Sequence, residues 1–469
     1  GTEGSLAWTL QQLGRWQPVQ AEGVRGSLRS GLYMDRLQWQ DQGLQVDARE
    51  VRLEWKPLAL FTGALHLDEL HARSVRVEDR RPPQPSAAPT SLALPVHPAI
   101  DLLQIGTIEW VTPTNSVVAN DLVAHYNFNG VQHQLQVDKV RWQSGTYRGR
   151  ASVGALGALH VNALLEGRFP AAVPGGAEAL PLDFSVSLLG PLADMQAKGR
   201  LQVGTGSPAA GTRANATARL TPWAAQPVPQ AQGDFQKLDL HALWAQAPQT
   251  SLSGQVGVQP AGTTTWSLTA DLVNETPGPW DQGRLPLGKV TAQGEWRASG
   301  EALVRRLRAQ VGGGEVQATG QWRGDGGWKV QGTLDGVNPA SVYSAMAPVP
   351  VSGRADLQGE GQAISFEVDL KAAGAARGRR PAGIAGTVQA LELREAMARG
   401  RWDGALLALP AFDVQTADAR LRGSLQVRIK ELAGSGQATL EAGRPFVLHP
   451  VAGPRLGDAG AAAVSASRD

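Results

Sequence analysis

Metal binding, nucleophilic attack and phosphate cradling each need particular side chains at particular spacings, and this chain supplies few of them. His66 and His71 stand five apart, and no set of His and carboxylate has metal-ligand spacing on one element. No metal and no cofactor are therefore expected. There is no Gly-x-Ser-x-Gly elbow to present a nucleophile. Gly204, Gly206 and the run from Gly312 to Gly314 lack the Lys-Ser/Thr and the long helix of a phosphate loop. The chain has no cysteine, which removes thiolate chemistry, disulfides and Cys-based zinc sites. Asn215-Ala-Thr217 and Asn274-Glu-Thr276 fit the glycosylation pattern, a short signal that is common by chance. Arg305, Arg306 and Arg308 could meet lipid headgroups, but a solvated polar edge is the plainer reading. With 44 basic and 42 acidic residues the net charge is +2, so there is no electrostatic footprint for nucleic acid. An enzyme is not expected. The chemistry that remains is the burial of apolar surface.

The residues that could do this are spaced by two. Val290-x-Ala292-x-Gly294-x-Trp296 recurs as Val316-x-Ala318-x-Gly320-x-Trp322, and Trp328-x-Val330-x-Gly332-x-Leu334 follows. Ile364, Phe366, Val368 and Leu370 repeat the pattern, as do Leu421, Gly423, Leu425, Val427 and Ile429. The alternate positions of the middle strand are Glu315, Gln317, Thr319, Gln321 and Arg323. Period two with one polar side is the mark of half-buried strands. Gly324-Asp325-Gly326-Gly327 is hairpin chemistry. The residues expected to line an apolar surface are Val290, Ala292, Trp296, Val316, Ala318, Trp322, Val330, Leu334, Ile364, Phe366 and Val368.

These strands sit in a longer order. Leu6, Leu10, Leu13 and Trp16 predict an amphipathic helix over 1–17, stopped by Pro18. A first β module is expected over 18–79. In it Leu44, Val46 and Ala48 alternate on one parity and Val51, Leu53 and Trp55 on the other, so a turn or bulge must lie between 48 and 51. Residues 80–98 carry six prolines and read as a linker or loop. Continued β structure is expected over 99–450, with a loose stretch at 204–232, and 451–469 reads as a loose tail. Asp239-Leu-His-Ala-Leu-Trp runs through Pro248 to Ser253-Gly254, and Asn338-Pro-Ala-Ser-Val-Tyr runs through Pro348 to Ser352-Gly353. Each unit is an N-cap, a helical turn, a proline break and a strand, and the two stand about 100 residues apart, as in quasi-one-dimensional repeat proteins.

So many one-sided strands must hide their apolar faces in a sandwich or barrel, or leave them lining an open trough. Glycine in mid-strand on the apolar side (Gly294, Gly320, Gly332, Gly423) weakens a strand and calls for strong curvature or the close approach of another body, which favours the trough; sheet bends in a sandwich remain the alternative. Trp296, Trp322 and Trp328 could stack on acyl chains or plug a dry core. No stretch approaches 18 apolar residues, so no helix here spans a bilayer. The chain opens on Gly-Thr-Glu, which reads as trimmed, with any anchor lying outside it.

The first 80 residues resemble the opening of the TamB family, in the wider AsmA-like group. The resemblance rests on ordered phrases: Gly23-Val-Arg-Gly-Ser-Leu28, Leu37-Gln-Trp-Gln-Asp-Gln-Gly-Leu-Gln-Val46, Val51-Arg-Leu-Glu-Trp-Lys-Pro-Leu58, Gly63-Ala-Leu-His-Leu67 and Ser74-Val-Arg-Val77. Leu188-Leu-Gly-Pro-Leu-Ala-Asp194 and Leu252-Ser-Gly254 are similar to phrases that recur through it. The resemblance implies a mostly β fold: an elongated, curled antiparallel repeat sheet forming an open hydrophobic groove, with a short N-terminal helix and small capping helical turns. It implies a periplasmic location, anchored in the inner membrane of a Gram-negative bacterium by a segment absent here. It also implies phospholipid acyl chains as cargo and a TamA-like outer-membrane barrel as partner through a C-terminal region also absent. The family has no catalytic residues to carry over. The main rival is a scaffold whose sheet edges pair with strands of outer-membrane proteins. An outer-membrane barrel is disfavoured by a total of four tyrosines, and a β-helix by the lack of a short regular coil.

Overall fold

The computed structural model describes residues 19–27, 31–81, 87–175, 178–207, 209–344, 346, 348–361, 363–373, 393–416, 419–428, 433–442 and 464–467. The helix expected over 1–17 and most of the tail 451–469 lie outside the described residues. The chain divides into two units, Gly1–Ala231 and Gln232–Asp469. The N-terminal unit comprises β1 (Val19–Glu22), β2 (Arg25–Ser27), β3 (Gly31–Asp41), β4 (Leu44–Trp55), β5 (Ala64–Asp79), β6 (His97–Val111), β7 (Ser116–Phe128), β8 (Gln132–Trp142), β9 (Gly145–Gly154), β10 (His160–Ala171), β11 (Leu180–Pro191), β12 (Met195–Val203) and β13 (Arg213–Leu220). After β14 (Gln230–Leu238), the C-terminal unit comprises β15 (Leu252–Pro260), β16 (Thr265–Asn274), β17 (Leu287–Arg297), β18 (Ala302–Val311), β19 (Gly314–Trp322), β20 (Trp328–Val337), β21 (Val351–Glu360), β22 (Ala363–Ala372), β23 (Leu393–Trp402), β24 (Leu406–Thr416), β25 (Ala419–Arg428) and β26 (Ala433–Ala442). A short β27 (Val464–Ser467) lies parallel to β26.

The described residues are thus mostly β with almost no helix; consecutive strands pair from β3 to β13 and from β15 to β26, while β1 and β2 both pair with β3. The sheets are open: among the described residues no pairing joins the first strands of a unit to its last. The pairing is not antiparallel throughout, however. β5 and β6 run parallel, from Ala64 opposite His97 to Glu78 opposite Val111. A parallel neighbour obliges the chain to travel back the length of a strand, and the proline-rich residues 80–96 make that return. His97 and Pro98 already belong to β6. The stretch 204–232 is less loose than its composition suggests. It holds β13, whose Ala214, Ala216 and Ala218 face Leu201, Gly199 and Ala197 of β12.

The parity change in β4 is made without a turn. Glu50 adopts a left-handed conformation (φ 50°) inside a continuous strand, which inserts one extra residue and returns the following side chains to the same face. The kink is shared. Register places Asp35, Glu50, Arg73, Gly106 and Asp121 in one line across β3–β7, and Asp121 is also left-handed (φ 54°). Residues from both sides of this line meet in one core: Met34, Ala48, Val51 and Ala72 are buried, packed by Leu37, Leu70, Val75 and Ile105. The kink residues carry the polar groups instead. Arg73 pairs with Glu50 at 2.6 Å and Arg141 with Asp121 at 2.7 Å.

The repeat in the C-terminal unit extends to single atoms. Asp239 caps the helical turn Leu240–Leu243 by accepting from His241 N, and Asn338 caps the turn Pro339–Ser341 by accepting from Ala340 N. Before each cap the backbone is left-handed, at Lys237 (φ 52°) and Gly336 (φ 62°). Those two amides donate to the hydroxyls of Ser253 and Ser352, at 3.1 and 2.9 Å.

Candidate functional site

The eleven candidate residues lie on four cross-strand rungs on one face of the C-terminal unit. The first rung runs Trp266, Trp296, Ala302, Trp322, Trp328, Gly359, Ile364, Trp402. The second runs Leu268, Gly294, Val304, Gly320, Val330, Leu357, Phe366, Gly400, and the third Ala270, Ala292, Leu307, Ala318, Gly332, Ala355, Val368, Ala398. The fourth runs Leu272, Val290, Ala309, Val316, Leu334, Gly353, Leu370, Ala396. Alternation alone assembles them, because each strand's even or odd set is brought beside the same set of its neighbour. The one odd spacing, Val304 to Leu307, is absorbed by a bulge at Arg305 and Arg306, so both apolar residues stay on the rungs.

The glycines have a steric role. A Cβ at Gly294 would stand 2.5 Å from the Leu303 carbonyl oxygen, and one at Gly332 2.9 Å from that of Gln317. At Gly254 and Gly423 it would run into the Asp271 and Gln437 carbonyls. On this face, then, neighbouring strands come closer than a Cβ permits, the geometry of a sheet curling toward its apolar side. Elsewhere a ring takes the space: Trp328 lies over Gly359, and Phe366 stands 2.5 Å from where a Gly400 Cβ would be.

The opposite face is charged and largely self-neutralised. Arg305 pairs with Glu295 at 2.7 Å and Arg399 with Glu367 at 2.8 Å. Asp413 takes Arg420 at 2.6 Å and Arg422 at 3.3 Å, and the hydrogen bond from Arg420 holds its carboxyl below the usual range. A furrow of about 980 Å³ lies along two polar rungs that include Lys329, Gln358, Ser365 and Arg401 on one side and Gln331, Glu367 and Arg399 on the other.

Two features escaped the sequence. The N-terminal unit has rungs of its own, one beginning Leu32, Leu53, Leu70, Leu103, Ala124, Val137. The parity changes at the kinks conceal it, and the repeated three-residue step between apolar pairs (Ala48 to Val51, Ala72 to Val75, Ile105 to Ile108, Ala119 to Leu122) was the available signal. The second is a set with metal-ligand geometry. His66 Nε2 and carboxylate oxygens of Asp68 and Asp101 lie within 4.8 Å of one another. They are gathered from β5 and β6, so no spacing on one element betrays them. The Lys56 ammonium, 2.6 Å from Asp68 and 3.3 Å from His66 Nε2, already supplies a cation there.

What the apolar face can do chemically is limited to sheltering. It presents no nucleophile and no charge, and its surface is only partly covered: Trp322 is 51% exposed and Val256 42%. Residues 1–151 match the family model of the TamB N-terminal domain. No curated protein and no solved structure matches the chain.

Proposed function

Because this chain belongs to the TamB family, whose members are envelope proteins of Gram-negative bacteria, we propose that it shelters phospholipid acyl chains on its apolar face and conducts them between the two membranes. The periplasm is the place for such a conduit, and a TamA-like barrel is the outer-membrane partner that membership suggests. The observation that carries the reading is the continuity of the four rungs from β16 to β23 without one charged side chain. An acyl chain held there is kept from water, at about 0.8 kcal/mol per CH₂, while headgroups stay wet. No catalysis is needed, and net flow follows the gradient or a partner's work. Pairing of outer-membrane strands at a sheet edge would place no demand on the apolar character of this face.

The test is mass spectrometry of lipids that co-purify with the detergent-free chain. Phospholipid should be present in stoichiometric amount and lost in Val330→Glu and Phe366→Asp, with the β signature in circular dichroism kept. A folded, lipid-free parent chain, or acidic variants that retain lipid, would refute the assignment.

A further inference from the structure

The two ends of the strands in the C-terminal unit differ. At one end three of the connections are long and carry the helical turns Leu240–Leu243, Trp280–Gln282 and Pro339–Ser341. These are joined to each other: Gln249 N donates to Gly283 O at 2.8 Å, Trp280 N to Val342 O at 2.8 Å, and Ser344 N to Asp281 Oδ1 at 2.8 Å. Beneath them the apolar face is closed, with Ala309, Val311 and Val337 buried and packed by Leu287, Leu334 and Val342. At the other end the connections 298–301, 323–327 and 403–405 are tight hairpins. The rung beside them is the tryptophan rung, and the cations next to it in sequence, such as Lys329 and Arg401, lie on the opposite, polar face. The face therefore grades from dry and aliphatic at the capped end to aromatic and more open at the hairpin end, where Trp322 is half exposed.

We infer that a phospholipid lies along the strands with a fixed polarity, its acyl termini toward the capped end and its glycerophosphate headgroup at the Trp266–Trp296–Trp322–Trp328–Trp402 rim. This rests on the sheltering reading and adds a direction to it. Indole rings, apolar with one N–H donor, settle where hydrocarbon meets polar groups. The dimensions agree. From Trp296 to Val290 is six residues, about 20 Å of strand, and one leaflet of hydrocarbon is about 15 Å, half the roughly 30 Å core of a bilayer. The caps carry exposed aromatics of their own, Trp244, Trp280 and Tyr343, so the opposite polarity is the outcome that overturns the proposal.

The absence of cysteine allows the whole chain to be labelled at one position. Ser299→Cys places a fluorophore at the hairpin rim, and Tyr343→Cys places one at the caps. Each is loaded from phosphatidylethanolamine–phosphatidylglycerol vesicles doped with lipid bearing a nitroxide either on the headgroup or at the end of one acyl chain, then separated from the vesicles. The headgroup nitroxide should quench position 299 severalfold more than 343, and the terminal nitroxide should do the reverse. Opposite or equal quenching at the two positions by lipid that has left with the protein overturns the polarity and leaves the sheltering reading intact. If no lipid leaves with the protein, the sheltering reading fails and the polarity with it.

Discussion

Sixteen of the apolar side chains buried among the described residues belong to the N-terminal unit and five to the C-terminal unit. The first group includes Leu32, Phe128, Leu159, Leu180 and Leu182, whereas the second is Ala309, Val311, Val337, Val349 and Val351, three of them in the cluster under the caps. Both units stack rungs of alternating residues. The N-terminal unit fills its face with bulk and moves polar kink residues to the other side. Both units intersperse glycine and lay rings over some of the gaps, as Tyr147 and Phe184 do at Gly167 and Trp328 does at Gly359, but the C-terminal unit buries far fewer apolar side chains. A sheet can thus satisfy its apolar side by packing against itself, or keep that side smooth and available, and the choice is made by which residues occupy the rungs rather than by topology.

The contrast is most easily broken at Phe128. Its ring is 1% exposed, stacked on His133 at 4.3 Å and met edge-on by His97 at 5.7 Å. Phe128→Ala should cost about 3–5 kcal/mol, the usual range for emptying a well-packed aromatic site, read as a shift in the urea midpoint of the transition that reports the N-terminal unit. A loss below about 1 kcal/mol would mean that this face is as loosely covered as the other.

Glycine sharpens the contrast at smaller amplitude. A Cβ at Gly423 would strike the Gln437 carbonyl and stand 3.0 Å from Phe412 Cζ, and the carbonyl is backbone that cannot swing away. Gly423→Ala should cost about 1–3 kcal/mol. At Gly199 in the N-terminal unit the nearest atom to a Cβ is Val186 Cγ2 at 4.0 Å, so Gly199→Ala should be neutral or stabilise by up to about 1 kcal/mol through the unfolded chain. Equal effects at the two positions, measured by thermal unfolding, would deny Gly423 its steric role.

Much of this arrangement is legible in the sequence because period two survives any register that pairs like with like. Val290 to Trp296 and Val316 to Trp322 declare their strands, their shared face and their hairpin turns. Asp239 and Asn338 announce their caps through residue type alone. What stays hidden depends on neighbours distant in sequence. Nothing local says that β5 takes β6 in parallel, that His66 comes within reach of Asp101, or that the caps join through Trp280 and Val342. The N-terminal rungs are hidden for another reason. A strand with a left-handed residue at Glu50 or Asp121 breaks its own alternation, and two half-strands of opposite parity look like two elements until their partners are seen to kink beside them.

The smallest effect concerns the polar faces, where the two units should behave alike. In the N-terminal unit Asp47 accepts from Arg36 Nε and Nη2, and in the C-terminal unit Asp413 accepts from Arg420. Both carboxyls are held below their ordinary value of 3.8, first by these hydrogen bonds and then against some desolvation. A carboxyl whose pKa is depressed by folding stabilises the folded state above its unfolded pKa, and that contribution is lost as pH falls through the folded pKa. Asp47→Asn and Asp413→Asn should therefore each cost about 0.5–1 kcal/mol at neutral pH, in the range of partly exposed pairs, and the cost should shrink toward zero below pH 3.8. Thermal unfolding of parent and variant chains across that window reads the difference. A cost that persists in acid would mean that the aspartates act through packing and not through charge. A cost confined to Asp47 would show that the polar faces differ as the apolar faces do, with the arginine pairs of the C-terminal unit too well solvated to hold its sheet in shape.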